Sequence, residues 1–186
     1  MRTFPGAWVL PGGSVDDTDE SVAHAALREL AEETGIEASI ADCEQPAPFA
    51  LWESCFPVSF DEWAAQRRAA EQRAPAHFLI NFVIVRLSAE QAAAPLTLQP
   101  AECDQAVWAP LADVAAALCG DEGAAARDEY PSARVLTTEG GGVQPPTGVD
   151  AKLLAGVYPN MHGEGVGRGH LWALRRLLER QATSVS

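Results

Sequence analysis

The spacing of apolar and polar residues along the chain predicts an α/β fold. In 21–34 apolar residues recur at helical intervals, and Gly35 supplies a stop signal, so this segment is predicted to be a helix. The same periodicity predicts an amphipathic C-terminal helix at 169–181. The nearly continuous apolar and β-branched run at 77–87 is typical of a central strand that is buried on both faces.

Shorter patterns predict the remaining elements. Apolar runs bounded by turn residues predict strands at 8–10, 36–40, 49–52 and 106–108. Two further segments favour helix, although the first could instead be a mobile insertion: 61–73 and 111–119. Proline and glycine clusters predict an irregular segment at about 120–165. The length of 186 residues favours a single domain over 1–186.

Composition narrows the class of protein. The formal charge of -13 repels nucleic acids and polyphosphates unless cations intervene, so a broad DNA- or RNA-binding surface is not expected. No apolar run is long enough to span a bilayer and no signal-peptide pattern is present, so no membrane partner and an intracellular, cytoplasmic location are expected. The four cysteines form no CxxC pair and are expected to be buried free thiols, and the oligomeric state stays open.

Acidic residues on the first predicted helix carry the candidate chemistry. Glu29, Glu32 and Glu33 stand at positions i, i+3 and i+4, so their carboxylates project from one face of the helix. Three like charges at one place need a counter-ion, and Mg²⁺ binds such oxygen ligands while keeping positions open for water and phosphate. Gly12 and Gly13 precede the helix and would let the backbone approach a metal or a phosphate closely.

The segment 12–36 closely resembles the Nudix box, G-x5-E-x7-R-E-U-x-E-E-x-G-U, where U is a bulky aliphatic residue. The box residues from Arg28 onward all match. Glu20 stands at the correct distance before Arg28, but Ser14 occupies the position of the first glycine of the box, so the loop is one residue longer. Either Asp19 or Glu20 therefore fills the first acidic position.

The resemblance implies an α/β/α sandwich with a mixed sheet, and the short start is consistent with missing N-terminal strands. It also implies binding of Mg²⁺ or Mn²⁺ and a set of catalytic residues: Arg28, Glu29, Glu32 and Glu33. The implied main metal ligands are Glu32 and Glu33, and Glu29 is implied as a further ligand or as the base. A carbonyl of the glycine pair, preferably Gly13, and a carboxylate from a late loop, for which Glu102 is the candidate, complete the implied ligand set. Arg28 would orient the glutamates through salt bridges.

The implied reaction is hydrolysis of a diphosphate linkage in a nucleoside-diphosphate substrate. Candidate substrate contacts are Gly12, Glu20, Trp52 and His77, with core packing as the alternative for Trp52. Weaker similarity at 51–54, 100–102 and 169–178 resembles the eukaryotic Nudix type that hydrolyses RNA caps. Capped RNA or a capped dinucleotide is thus one expected substrate, and ADP-ribose or NADH-type dinucleotides are the alternative.

Two other classes of protein compete with the hydrolase. A non-catalytic Nudix-fold binding module would be expected to have lost one of the glutamates, whereas all three are present. An acidic interaction protein with an accidental motif predicts no stabilisation by divalent metal, which distinguishes it from both Nudix readings.

Overall fold

The computed structural model describes the N-terminal helix, one long hairpin, the C-terminal helix and several shorter elements. The described residues are 7–45, 47–56, 76–99, 101–103, 105–109, 111, 129–130, 135–137, 149–150 and 165–184. The predicted helix at 61–73 and nearly all of the one at 111–119 lie outside them. The described elements include both helices and strands, as an α/β fold requires.

Helix α1 spans Val22–Thr34 and has the boundaries that its sequence predicts. The Ser21 side chain accepts a hydrogen bond from the His24 amide and thereby caps the first turn. Gly35 ends the helix in the left-handed region, at φ 72°, and its N–H donates to the Ala31 carbonyl at 2.8 Å.

The segment after α1 differs from its prediction. No strand forms at 36–40, and a 3₁₀ helix, Ile40–Asp42, follows instead. Ser39 and Asp42 explain the difference, because their side chains and amides form a reciprocal capping box that supplies local hydrogen bonds in place of a strand partner.

Strands β2, Ala50–Phe56, and β3, Ala76–Phe82, form an antiparallel pair in which all seven residues of each strand are matched. One face of the pair packs on the C-terminal helix, where Ala50 and Phe82 join its residue Ala173 in a buried cluster. The predicted strand at 49–52 is therefore present and longer than expected.

The expectation that 77–87 is one strand buried on both faces is wrong. Strand β3 ends at Phe82, and Leu79 is 62% exposed because no described residue covers that face of the hairpin. The extended chain beyond β3 changes partner: the Glu44 amide donates to the Ile84 carbonyl and the Arg86 amide donates to the Asp42 carbonyl.

Helix α2 is the short helix Ala89–Ala93, and the loop after it reaches back to the end of α1. The Thr97 amide donates to the Thr34 carbonyl at 2.8 Å, while Leu96 is buried. This attachment brings the loop at 95–103 alongside α1.

Strand β4, Gln105–Val107, pairs antiparallel with β6, Val135–Thr137, and β5, Glu129–Tyr130, pairs with β7, Val149–Asp150. β4 lies where the sequence predicts a strand. The strands β5, β6 and β7 fall inside the segment that was expected to be irregular, whose other residues between 120 and 164 lie outside the description.

The C-terminal helix α3 spans Arg168–Ser184 and follows strand β8, Gly165–Val166. β8 pairs in parallel with β1, Ala7–Trp8, which lies at the start of the predicted first strand. Apolar side chains of α3 pack with this pair, with Leu171 and Val166 buried. Within the described part of the chain, neither α3 nor any other helix has the length and apolar character to cross a membrane.

Candidate metal centre

The loop that follows β1 delivers two glycines to the acidic face of α1. The Gly12 amide donates to Glu33 Oε2 at 2.9 Å, which ties the loop to the helix. Gly13 lies against the Glu29 carboxylate, and a Cβ atom at this position would overlap that carboxylate, with Oε2 only 2.6 Å away. Only a glycine at position 13 therefore leaves Glu29 in its place.

Three carboxylates converge beside this loop. One oxygen each from Glu29, Glu33 and Glu102 can be chosen so that all lie within 4.8 Å of one another. Glu29 and Glu33 come from adjacent turns of α1, and Glu102 comes from the loop that Thr97 anchors to the end of the helix. The structure thus places Glu102 beside two of the box glutamates, and its role as a metal ligand stays a prediction.

Burial makes this group of carboxylates electrostatically unfavourable by itself. Glu33 is only 6% exposed, and burial raises the pKa of its carboxyl group. The charges of Glu29 and Glu102 raise that pKa further, while the hydrogen bond from Gly12 acts in the opposite direction. A divalent cation would remove this repulsion, and three carboxylates form the all-oxygen ligand set that Mg²⁺ and Mn²⁺ prefer.

Arg28 holds the acidic residues in position. Its Nε and Nη2 donate to the two carboxylate oxygens of Asp19 at 3.1 and 2.9 Å, and its Nη1 donates to Glu29 at 2.9 Å. Nη2 also donates to the Ser14 carbonyl, so the longer loop is fastened to α1. The hydrogen bonds to Asp19 and Glu29 raise the pKa of the Arg28 guanidinium, and the hydrogen bond from Arg28 lowers the pKa of the Asp19 carboxyl.

The choice between Asp19 and Glu20 depends on this arginine. Asp19 makes the paired hydrogen bonds to Arg28, whereas the Glu20 side chain is 83% exposed and lies 3.6 Å from His24. Asp19 therefore occupies the acidic position opposite the arginine. A substrate contact by Glu20 stays a prediction.

Glu32 lies apart from the three convergent carboxylates. Its side chain is 53% exposed, and its Oε2 accepts from Arg28 Nη1 at 3.3 Å. The helix places it on the neighbouring edge of the acidic face, so its assignment as a main ligand also stays a prediction.

The two candidate aromatic contacts lie on the β2–β3 hairpin. Trp52 packs between the hairpin and α3, with its ring 5.6 Å from that of Trp172 and against Gly169. His77 projects from the opposite, exposed face, where its Nε2 lies 2.7 Å from the Glu53 carboxylate. Core packing is thus the role that the contacts of Trp52 show, and the structure records no contact between His77 and the metal centre.

One contact near the centre was not predicted. His170, on the first turn of α3, accepts a hydrogen bond at Nδ1 from the Leu10 amide at 3.1 Å. The two residues are 160 positions apart, and no local pattern around His170 indicates the pairing.

A family model for the NUDIX domain matches residues 1–130, which is more than half of the chain. The chain belongs to the Nudix hydrolase family. The match includes α1 and Glu102, whereas β8 and α3 follow it in sequence and pack on the Nudix part of the chain.

Two curated relatives share part of this Nudix sequence. The m7GpppN-mRNA hydrolase NUDT17 of Danio rerio is 34% identical over 111 residues, which are 58% of this chain and 33% of the relative. The protein of the same name from Xenopus laevis is 31% identical over 86 residues, which are 46% of this chain and 25% of that relative. The matched part of the chain thus spans a third or less of each of these proteins.

Proposed function

We propose that this Nudix protein is a Mg²⁺- or Mn²⁺-dependent hydrolase that cleaves a diphosphate linkage in a nucleoside-diphosphate substrate, with m7G-capped RNA or a capped dinucleotide as the preferred candidate. The observation that carries the proposal is the convergence of Glu29, Glu33 and Glu102 beside the glycine loop. The named activity of the two relatives supports the choice of substrate. A cap substrate would also require an intracellular location.

The residues of the centre fit a divalent cation. Glu29, Glu33 and Glu102 would hold it, with the Gly13 carbonyl as a further ligand. When bound, such an ion polarises phosphoryl oxygens and lowers the pKa of a coordinated water. A carboxylate of the same group that does not bind the ion can accept the proton of the attacking water. Arg28 keeps Glu29 oriented throughout, because the same guanidinium is fixed by Asp19.

The charge of the protein explains why the cation and the substrate belong together. With a net charge of -13 and three clustered carboxylates, the centre repels a polyphosphate in the absence of metal. A cation between carboxylates and phosphate reverses this repulsion locally. A small capped end suits this arrangement better than a long RNA footprint, which would need many cationic side chains.

The proposal is tested by incubating the purified full chain with a capped RNA, a capped dinucleotide, ADP-ribose, NADH and a dinucleoside polyphosphate. Products are identified by mass in the presence of Mg²⁺ or Mn²⁺ and again with a chelator. Reaction in ¹⁸O-labelled water shows which phosphorus is attacked. We expect metal-dependent release of a 5′-monophosphate product from the capped substrates. If only ADP-ribose or NADH is hydrolysed, the proposed substrate is a small dinucleotide and not an RNA cap.

A thermal-shift experiment distinguishes the competing classes. A cation at a hundred times its Kd should stabilise the protein by about 2.7 kcal/mol. Stabilisation without turnover of any substrate would favour a non-catalytic Nudix binding module. No stabilisation by Mg²⁺ or Mn²⁺ would contradict the metal centre and favour an acidic interaction protein.

A further inference from the structure

The loop that carries the two glycines is held at both of its ends. At the far end, the Gly12 amide donates to Glu33. At the near end, the Leu10 amide donates to Nδ1 of His170 on α3, while the Gly167 amide donates to the Trp8 carbonyl at 3.2 Å. The short loop thus connects the acidic helix with the C-terminal helix.

Pro11 makes the connection between the two ends stiff. The proline ring restricts its own φ, and it also restricts the backbone of the preceding residue, Leu10, to extended conformations. Few torsions therefore separate the Leu10 amide from the Gly12 amide. A displacement of Leu10 is passed on to Gly12 and Gly13, which contact Glu33 and Glu29.

The imidazole of His170 is itself well fixed. Its ring meets the edge of the Phe82 ring at 84° with 5.7 Å between centroids, and its Cδ2 packs closely over Gly167. Burial lowers the pKa of His170, so the ring is neutral near pH 7. In the neutral tautomer that carries its proton on Nε2, Nδ1 can accept the hydrogen bond from the Leu10 amide.

We propose that His170 is a positioning residue for the metal centre: through its hydrogen bond to Leu10 it sets the place of the glycine loop against Glu33 and Glu29. The inference rests on the proposed metal centre, but it concerns a residue beyond the part of the chain that the NUDIX domain model matches. Among the described residues, none of the convergent carboxylates lies on α3. The inference therefore gives this helix a role in the site through the position of the loop.

The experiment compares His170→Asn with His170→Leu in the full chain. Asn and Leu side chains have the same branching, and both substitutions remove the imidazole ring, so both variants lose its packing. Asn places an oxygen acceptor two bonds from Cβ, as His places Nδ1, whereas Leu offers no acceptor. Mn²⁺ binding is measured as free Mn²⁺ by electron paramagnetic resonance, together with the melting temperature and, for the active substrate, kcat and KM.

We expect His170→Leu to weaken Mn²⁺ binding about fivefold to tenfold relative to His170→Asn, as the loss of one hydrogen bond to a fixed backbone amide implies. His170→Asn should bind Mn²⁺ nearly as the unmodified chain does. Equal Mn²⁺ affinities for the two variants would overturn the inference, because the hydrogen bond is the feature that distinguishes them. The readout does not need turnover, so failure of the proposed hydrolysis is recognised separately.

If His170→Leu does not fold, amide hydrogen exchange of the unmodified chain provides the test. With saturating Mg²⁺, the Leu10 and Gly12 amides should both become more protected, because the loop is one stiff unit between two anchors. The amide of Thr18, which bonds within its own turn, serves as the control and should change little. Protection of Gly12 without any change at Leu10 would contradict the proposed link through His170.

Discussion

Helices α1 and α3 both reach the glycine loop, but they do so with different kinds of residue. Helix α1 contributes charged groups, Glu29 and Glu33, to the centre itself. Helix α3 contributes apolar packing and one neutral acceptor, His170, which holds the other side of the loop. In the proposed site, α1 supplies the reacting carboxylates, and α3 fixes the backbone of the loop beside them.

The difference shows why the two helices respond differently to substitution. Carboxylates on α1 are held together against their mutual repulsion, so a change there is expected to alter the proposed metal binding and to leave the apolar core in place. Side chains on α3 pack against the hairpin and against β1 and β8, so a change there alters stability first. Substitutions in the two helices and in the loop between them can therefore separate function from folding.

The largest effect is expected at Glu33. We expect Glu33→Gln to lower metal-dependent hydrolysis by at least about 100-fold, because a buried ligand or base is lost while the amide oxygen can still accept from Gly12. The free energy of unfolding without metal should not fall, since a buried charge with a raised pKa is removed. Activity is measured on the preferred substrate and stability by urea unfolding.

Two further glutamates sharpen this test. Glu37→Gln is the matched control, because it makes the same chemical change at an exposed residue beyond the helix and should leave activity unchanged. Glu32→Gln should reduce activity less than Glu33→Gln, because its carboxylate is directed to Arg28. The opposite order would show that Glu32 is the more important of the two glutamates that the family resemblance implies as main ligands.

The second effect concerns the packing of α3. Trp52→Ala should destabilise the protein by about 3 kcal/mol, because the indole fills the space between Gly169 and Trp172. Leu51→Ala, at an exposed neighbour on the opposite face, should change stability by about 0.5 kcal/mol or less. An increase in KM with unchanged urea unfolding would instead support the predicted substrate contact of Trp52.

A smaller effect is expected in the loop between the helices. Gly13→Ala places a methyl group where the Glu29 carboxylate lies, so that the side chain must move. We expect a loss of about 10-fold to 100-fold in kcat/KM with little change in melting temperature, since misplacement by about 1 Å is costly to catalysis. Ser14→Ala is the control, because Ser14 contacts Arg28 through its backbone carbonyl. Wild-type activity in Gly13→Ala would show that activity does not depend on the observed position of the Glu29 carboxylate.

The smallest effect is a pH dependence of stability from α3. The pKa of His170 is lower in the folded protein than in the unfolded chain, so the unfolded chain binds more protons between these two values. The contribution of neutral His170 to the free energy of unfolding is therefore complete above about pH 6.5, the pKa in the unfolded chain. This contribution decreases as the pH falls from there toward the lower pKa of the folded protein. Urea unfolding between pH 7.5 and pH 5.5 should show a shallower decrease for His170→Asn than for the unmodified chain. The same pH dependence of stability in both proteins would contradict a lowered pKa of His170 in the folded state.

Much of the first helix could be predicted because its signals are local. The Ser21 cap, the apolar spacing and the Gly35 stop lie within one segment, and the structure reproduces the predicted boundaries. The spacing of Glu29 and Glu33 likewise fixes their common face through helix geometry alone. Glu102 could be selected only because the family resemblance directs attention to a late loop.

Predictions failed where a partner distant in sequence decided the outcome. The extended pattern at 36–40 found no strand partner, and the Ser39 capping box formed instead. The apolar run at 77–87 was expected to be covered on two sides, but its described part packs on α3 with one face. Hydrophobic pattern shows which residues can be buried, whereas the arrangement of neighbouring elements determines which of them are.

The choice between Asp19 and Glu20 illustrates the same limit at the scale of one side chain. Both acids stand at plausible distances before Arg28, and the turn Asp16–Asp19 determines which of them faces the guanidinium. His170 gave no signal at all, because its partner lies 160 residues earlier in the chain.

The linear order of residues was sufficient for the acidic helix and its two ends, since these depend on interactions within a few residues. Folding in three dimensions was needed to bring Glu102 to Glu33, to choose Asp19 as the partner of Arg28 and to set His170 behind the glycine loop. Such contacts join segments whose separation along the chain carries no periodic pattern, so only the packing of the whole domain selects them.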